Sequence, residues 1–580
     1  MNHRGSSFLS SLVGGRHQTE ESPATVTRFG AGAAASGIGL SRFAGVIRAA
    51  LITNILGIGL VGDAFAAAQR IPNVLQNLFG EGALSAAFVP EYSRLSEHDP
   101  KQAGRLAGGV ASFLLCLVSC LVAVGFLAAE PLTRAIAWGF TGARFDLTVR
   151  LVRIILIGSG VLVLSAWCLA LLNSHRRLFL GYAAPFVWNA TQIAVLIAVA
   201  VLEFSDTSAA RTLAWAIVVG SVLQVLVQLP AVLKANRHIE FNFLWKNPAT
   251  ATVLKRFAPA VLGRGALQLS SFIDLALASL LSIGAASSLA AAQAIYLLPI
   301  ALIATSVVAA ELPELSRIDN FDEVADRLSR RTLQMLWLVG PIIAMYLAAG
   351  PQIADALFNL GGFRNQVSHD DLTVIGLTLG AYALGLPALM SSRLLQNVCY
   401  SVGDTRTPAR IAGRRVIISL AVGAILMFQF EQILVVDQGI VGFGTGNLVW
   451  GPLPDSVRNA MHLPARLGPV GLALGSAVGA WIEFWQLRKQ VLKRSQLESL
   501  TRSGFWKHVL PGLAALGAAV VLRQLKIDQA LLQVSLLGIG VLAVHLTISW
   551  VLGTQAMSEL VSGLRLGPSI SLPPTKDKPS

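Results

Sequence analysis

The chain has 580 residues, 54% of them hydrophobic and only 13% charged, and its mean hydropathy is +0.64. An ordinary soluble domain carries about 25% charged residues, so lipid is the solvent for most of this chain. The formal net charge of +14 does not mark a nucleic-acid partner: the positive residues sit in short segments between apolar runs, where they set membrane orientation.

Residues 1–30 are rich in Ser, Gly and Arg and lack a continuous apolar core, which predicts a cytoplasmic tail rather than a cleaved signal peptide. Apolar stretches long enough for about 30 Å of hydrocarbon then follow near 33–59, 62–93, 106–130, 151–173, 182–203, 210–233, 253–283, 287–315, 332–350, 371–401, 408–428, 466–487, 507–525 and 531–553. About fourteen transmembrane helices are therefore expected, with both termini cytoplasmic. On that topology roughly thirty Lys and Arg lie inside against roughly nine outside, the bias of a correct helix count. The outside set is chiefly Arg134, Arg144, Arg150, Arg211, Arg364 and Arg458. The long outside connection 429–464 has no evident role.

An internal repeat supports a division into halves. Ala66-Ala67-Ala68-Gln69 opens a stretch ending Pro90-Glu91-Tyr92-Ser93-Arg94, and Ala290-Ala291-Ala292-Gln293 opens one ending Pro313-Glu314-Leu315-Ser316-Arg317. Both copies run outside to inside, so the repeats are parallel, six helices each, and can rock about a V-shaped central cavity. The expected organisation is a tail at 1–30, a first lobe at 31–240, a second at 241–490, two extra helices within 491–560 and a tail at 561–580.

Ionisable groups within spanning helices cost at least ~2.5–3.5 kcal/mol each and default to functional candidates. The first helix holds Ser41, Arg42 and Arg48; the second holds Asp63, Arg70, Asn73, Asn77 and Glu81. At about 100° per residue, Asp63, Arg70, Asn77 and Glu81 fall within roughly 40° of one another, a polar face on an apolar helix. Pro72 is expected to kink that helix. The seventh helix carries a fainter stripe of Arg264, Gln268, Ser271 and Asp274. Arginines suit phosphate or pyrophosphate, being permanently charged and fork-shaped, while Asp63, Glu81 and Asp274 suit a gate, a coupling cation or a proton. The bland alternative is that these charges pair as interhelical glue.

Arg42, Glu311, Arg393 and Glu483 lie near inner helix ends and read as snorkelling anchors. Cys116, Cys120, Cys168 and Cys399 lie in apolar runs and read as packing residues, and His175 reads as solvated in a cytoplasmic turn. No enzyme constellation, metal-site spacing or phosphate-cradling loop is present, so no cofactor is expected and energy would come from the membrane potential, the substrate gradient or an ion gradient such as that of a monovalent cation.

The runs Ser41-Arg42-Phe43-Ala44-Gly45-Val46-Ile47-Arg48, Asp63-Ala64-Phe65, Arg70-Ile71-Pro72-Asn73 and Glu81-Gly82-Ala83-Leu84-Ser85-Ala86-Ala87-Phe88-Val89-Pro90 closely resemble the amino-terminal signature of the MurJ/MviN lipid II flippases. Similarity continues at Leu172-Asn173, Phe272-Ile273-Asp274, Leu298-Pro299 and Gly403-Asp404-Thr405-Arg406-Thr407-Pro408. The resemblance implies two six-helix lobes plus two carboxy-terminal helices that help form a groove for a polyprenyl tail. It also implies lipid II as substrate, flipped by alternating access across the bacterial inner membrane, with cell-wall synthesis proteins as possible partners. Ser41, Arg42, Arg48, Asp63, Asn73 and Glu81 match the family's cavity or gate positions. Ala49, Gln76 and Gln293 depart from its pattern, the latter two replacing arginines, and Arg264 and Arg70 are expected to compensate. Another lipid-linked oligosaccharide, a small cation, or a non-transporting scaffold for cell-wall enzymes are the alternative readings.

Overall fold

The computed structural model describes residues 23–79, 83–241, 248–300, 303, 321–359, 366–401, 404, 406–442, 449–460, 463–495, 505–525, 527 and 529–559. The first half contains α1 (Pro23–Leu56), α2 (Leu60–Phe79), α3 (Ala83–His98), α4 (Pro100–Leu127), the short α5 (Ala129–Ile136), α6 (Gly142–Ser174), α7 (Leu178–Val201) and α8 (Asp206–Ala235). The second contains α9 (Pro248–Ser279), α10 (Ala285–Pro299), α11 (Phe321–Phe358), α12 (His369–Ala383), α13 (Leu386–Ser401) and α14 (Arg406–Phe430). Strands β1 (Leu434–Val436) and β2 (Gly439–Val441), the one-turn α15 (Asp455–Arg458) and β3 (Ala465–Arg466) lie in the long connection; α16 (Gly468–Ser495), α17 (Phe505–Leu522) and α18 (Ala530–Val551) complete the chain.

The all-helical membrane architecture follows from backbone chemistry: in hydrocarbon each N–H and C=O needs a partner within its own segment, which a helix supplies. Among the described residues, ten helices are long and apolar enough to cross a membrane, and α12 with α13, bent by 41°, makes an eleventh. Fourteen crossings require α2 with α3, α9 and α10 to be counted as well, and α2, α9 and α10 carry the polar residues of the repeat and the two stripes. The helical backbone of α2 continues past Pro72 to Phe79.

Small residues set how closely the helices approach. Gly471, Gly475 and Gly479 form one face of α16 against α14; a Cβ at Gly475 would stand 2.4 Å from the Gly423 Cα, and one at Gly471 would stand 2.6 Å from backbone atoms of Leu426 and Met427. In lipid, such close backbone packing replaces the hydrophobic drive between helices. A kink at Ala349 (φ −127°, ψ 24°) precedes Pro351 in α11, where proline removes a helical donor. The last two helices pack on α11, with Ala344, Ala348, Ala515, Ala519, Leu537 and Val541 as their core. Cys168 and Cys399 are buried, as expected of packing residues, whereas Cys116 and Cys120 are exposed on the apolar outer face of α4, where no neighbouring helix covers them.

The connection 429–464, with Ala465–Arg466 just beyond it, forms a three-stranded antiparallel sheet in the order β2-β1-β3, with Leu434 opposite both Val441 and Arg466. Gly475→Ala is predicted to lower the melting temperature of the purified protein, because the added methyl meets backbone rather than a movable side chain and such overpacking costs about 1–3 kcal/mol. Gly517→Ala, where a Cβ meets nothing within 4 Å, serves as the control; equal melting shifts for the two would contradict the packing argument.

Candidate functional site

A cavity of about 260 Å³ lies between α1, α2 and α10, with Arg48, Thr53, Gln69, Arg70, Ser287 and Gln293 among its lining residues. The two openings of the internal repeat meet here, since Ala66 and Gln69 face Ala290 and Gln293 across the space. Arg48 stacks over the Trp188 ring at 4.6 Å and donates from Nη1 to Gln192 Oε1 at 3.3 Å, while its buried Nε has no protein partner. Arg70 donates to Gln293 Oε1 at 2.6 Å, and the Gln293 amide donates to the Tyr382 hydroxyl at 2.9 Å. Tyr382 stacks on Tyr296 at 4.7 Å, and Asp274 interacts electrostatically with Arg70. Gln293 thus orients the remaining arginine where a second one was expected.

The other candidates are placed less uniformly. Ser41 is half-buried and its carbonyl accepts from Asn189; Arg42 is exposed and does not line this cavity. Glu81 lies outside the described residues, as do the side chains of Asn73, Asn77, Arg264, Gln268 and Ser271; Glu311, Arg364 and the second copy's Pro313–Arg317 run are outside them too.

Asp63 closes the cavity at the Gly57 end. Its side chain is fully buried, with Oδ2 accepting from Arg144 Nη1 at 3.1 Å and the Gly284 amide at 2.9 Å. Oδ1 accepts from the Ser287 amide and hydroxyl, both at 2.8 Å. Gly284, at φ +93°, starts α10 without a side-chain cap of its own, so a carboxylate from α2 supplies the negative charge that a helix N-terminus favours. Every acceptor position of Asp63 is taken by protein donors, which makes it a latch between the halves in this arrangement rather than an open ion site.

Arg144 and Arg458 correct the sequence reading. Expected among the outside loop charges, they are only 2% and 6% exposed. Arg144 also stacks on Phe140 at 4.2 Å and donates to Asn459 at 3.4 Å. Arg458 donates to the Leu280 carbonyl at 3.2 Å and pairs with Asp455, and its own carbonyl accepts from Ile283. The connection of unknown role therefore straps the α9–α10 turn, and Glu431 holds the same turn through the Ser282 amide at 2.7 Å. Asn459 bonds Thr141 at 2.9 Å, and Asn54 bonds the Phe358 carbonyl at 2.8 Å. At the opposite end, α3 meets α9 through a core containing Leu84, Phe88, Val253 and Phe257.

A second, larger hollow of about 510 Å³ runs between α11, α13, α16 and α17. Its walls are apolar, including Leu333, Leu336, Ile343, Trp481 and Phe484, with Arg488 and His508 also present. Glu483 and His175 differ from expectation. Glu483 is 2% exposed and bonded to Arg415 and Gln396 rather than anchored at an interface. His175 is half-buried, with Nε2 2.9 Å from the Tyr92 hydroxyl, which itself accepts from Asn236.

These features define a multi-pass membrane transporter fold with a cationic chamber between two halves. Solved structures share the fold: a lipid II flippase MurJ in an inward closed conformation matches with a TM-score of 0.71 at 20% identity, covering 91% of this chain and 99% of that one. An inward-facing MATE family multidrug transporter matches with a TM-score of 0.56 at 15% identity, covering 79% and 96%. The family model "Lipid II flippase MurJ" matches residues 52–450. A probable lipid II flippase MurJ of Bdellovibrio bacteriovorus is 30% identical over 424 residues, 70% of this chain and 78% of the relative. The lipid II flippase MurJ of Burkholderia cenocepacia is 32% identical over 386 residues, 64% and 73% of the two chains. The chain belongs to the MurJ lipid II flippase family.

Two predictions follow from the geometry. Asp63→Asn leaves Arg144 as an uncompensated buried charge, a change that costs about 3–5 kcal/mol, so the Gly57 end opens. Leu281→Cys, at a position that is fully buried, should react faster with a membrane-impermeant maleimide in the Asp63→Asn background, native cysteines having been removed; an unchanged rate would rule out the latch. Burial and the nearby Arg177 hold the His175 imidazole below its ordinary 6.5. The unfolded chain then binds the extra proton first, so stability rises with pH from the depressed value up to 6.5. Melting temperatures between mildly acidic and neutral pH should show that slope, and His175→Gln should flatten it.

Proposed function

We propose that this protein moves lipid II, a polyprenyl-pyrophosphate glycolipid, from the inner to the outer leaflet of the bacterial inner membrane, as a transporter and not as an enzyme. The observation that carries this reading is Arg48. It is a permanent cation within a spanning helix, at the wall of an internal chamber, with a buried donor that no protein atom uses. A guanidinium in hydrocarbon is retained against its insertion cost when it has work to do, and its fork suits pyrophosphate oxygens.

Residues 31–240 and 241–490 act as the two rocking lobes, both termini face the cytoplasm, and the Gly57 end is the outer one. A chamber of about 260 Å³ is smaller than the ~300–1,000 Å³ pockets of drug-sized ligands. The headgroup therefore enters only when the lobes part on the inner side, while the Asp63 latch keeps the outer side shut. The 510 Å³ apolar hollow takes the polyprenyl tail, beside the two extra helices. Membrane potential or a monovalent cation supplies the energy, with Asp274 as the carboxylate best placed to respond, since it stands near Arg70 and Arg415 without a hydrogen bond to either among the described residues. Retained Arg48 and Arg70 oppose a cationic cargo.

Expression in a bacterium depleted of its own lipid II flippase should restore growth and lower the inner-leaflet lipid II pool. Arg48→Ala, present in the membrane at the parental level, should do neither. Full rescue by Arg48→Ala would remove the cationic chamber from the mechanism; failure of the parent chain to rescue would remove lipid II as cargo.

A further inference from the structure

Beyond the chamber wall formed by α1, α2 and α10, the second half holds a group of charges deep in its spans. Arg415 is the tenth residue of α14, about 13 Å from the helix start at 1.5 Å per residue, and Glu483 is close to the middle of α16. Paired inside the protein, at 22% and 2% exposure, these two are not accounted for by snorkelling, and charges held within spans mark function by default. Arg415 Nη1 meets Glu483 Oε2 at 2.7 Å, Gln396 donates to Glu483 Oε1 at 2.9 Å, and Arg393 donates to Gln396 at 3.4 Å. Glu483 is thus gripped from two sides.

The exposure pattern of α13 says where this group faces. Throughout its described length the helix is buried except for Pro387, Arg393 and Tyr400. Pro387, Ala388 and Ser391 face the apolar hollow. At 100° per residue Arg393 lies about 120–160° around the helix from those three, and Tyr400, seven residues on, shares its strip. So α13 shows its arginine to the side away from the hollow. Arg393 and Arg415 both interact electrostatically with Tyr296 of α10, and Arg415 does so with Asp274. Tyr296 stacks on Tyr382, so the group stands within electrostatic reach of the Arg70–Gln293–Tyr382 chain. Three guanidinium groups (Arg70, Arg393, Arg415) face two carboxylates (Asp274, Glu483), leaving net positive charge on this wall.

We propose that Arg393 and Arg415 form a second anion-binding station, on the second-lobe side of the chamber, that takes the pyrophosphate of the lipid-linked substrate in turn with Arg48. The proposal rests on the flippase reading. Glu483 and Gln396 are positioning residues: they hold the two guanidinium groups apart and in register, and Glu483 competes with the incoming anion for Arg415. Pyrophosphate has enough oxygens to engage one fork on each side, so two stations allow it to change partners without standing unpaired in a low-dielectric space.

The full chain in lipid nanodiscs is titrated with undecaprenyl pyrophosphate and, as an uncharged control, undecaprenol, with each variant's melting temperature recorded. Arg393→Gln and Arg415→Gln should each weaken pyrophosphate binding roughly tenfold, the scale of one charge-assisted hydrogen bond, and leave undecaprenol binding unchanged. Arg415→Lys should fall between, and it replaces Arg415→Gln if that variant does not fold. Glu483→Gln should tighten pyrophosphate binding several-fold even while lowering the melting temperature. Interhelical glue makes a different prediction: Glu483→Gln and Arg415→Gln would then change binding in the same direction, which overturns the station. Parental binding in both arginine variants overturns it too. Arg48→Gln runs alongside: loss there with no loss at Arg393 and Arg415 sinks only this inference, whereas no loss at any of the three sinks the transport reading as well.

Discussion

A carboxylate cannot stand uncompensated in hydrocarbon, and the arrangement of this protein at its Gly57 end depends on that constraint. Asp63 brings a charge from α2 into a fully buried position, and the surroundings have been built to satisfy it: the exposed amides at the start of α10, the Ser287 hydroxyl and the Arg144 guanidinium. Because those partners come from both halves, satisfying one side chain holds the halves together. Because Arg144 is itself buried, neither charge can leave alone without exposing the other to an unfavourable medium.

The rest of the Gly57 end reinforces the same joint. Arg458, Glu431 and Asn459 reach from the 429–466 region to the α9–α10 turn and to the start of α6. These contacts are mostly with backbone carbonyls and amides, so they fix where the turn sits without adding charge to the chamber. The chamber is left cationic, with Arg48 and Arg70 at its wall. The two charges are thereby separated along one helix: Asp63 and Arg70 lie seven residues apart on nearly the same face of α2, the acid tied to the start of α10 and the base at the chamber wall. The apolar hollow is separate from the chamber, and the two share no lining residue.

The polar face of α2 was legible because a 3.6-residue period stands out against apolar neighbours, and the repeat was legible because its Ala-Ala-Ala-Gln opening recurs with identical residues. Family membership could be read from the motifs of the first two helices. Arg144 and Arg458 were not legible as buried residues: each stands beside a loop, where charge patterning assigns it to solvent, and only the folded chain brings Asp63 or the α9–α10 turn to it. Two of the four donors to Asp63 are backbone amides, which leave no mark in side-chain identity. Glu483 reads as an anchor because the apolar stretch ends near 487, whereas α16 continues as helix to Ser495, so the glutamate lies farther from the helix end than the apolar pattern suggests. His175 shows the same limit, since its partners Tyr92 and Asn236 are far away in sequence.

The central claim is that the outer end must open for lipid II to cross. Thr141 and Asn459 touch across that end, so Thr141→Cys with Asn459→Cys, in a chain without its native cysteines, places a reducible clamp there. Flipping of fluorescent lipid II by this variant in proteoliposomes is the direct measurement. The account predicts that oxidation to the disulfide stops flipping and that reduction restores it, with no such response in either single variant; undiminished flipping by the fully cross-linked protein would contradict it.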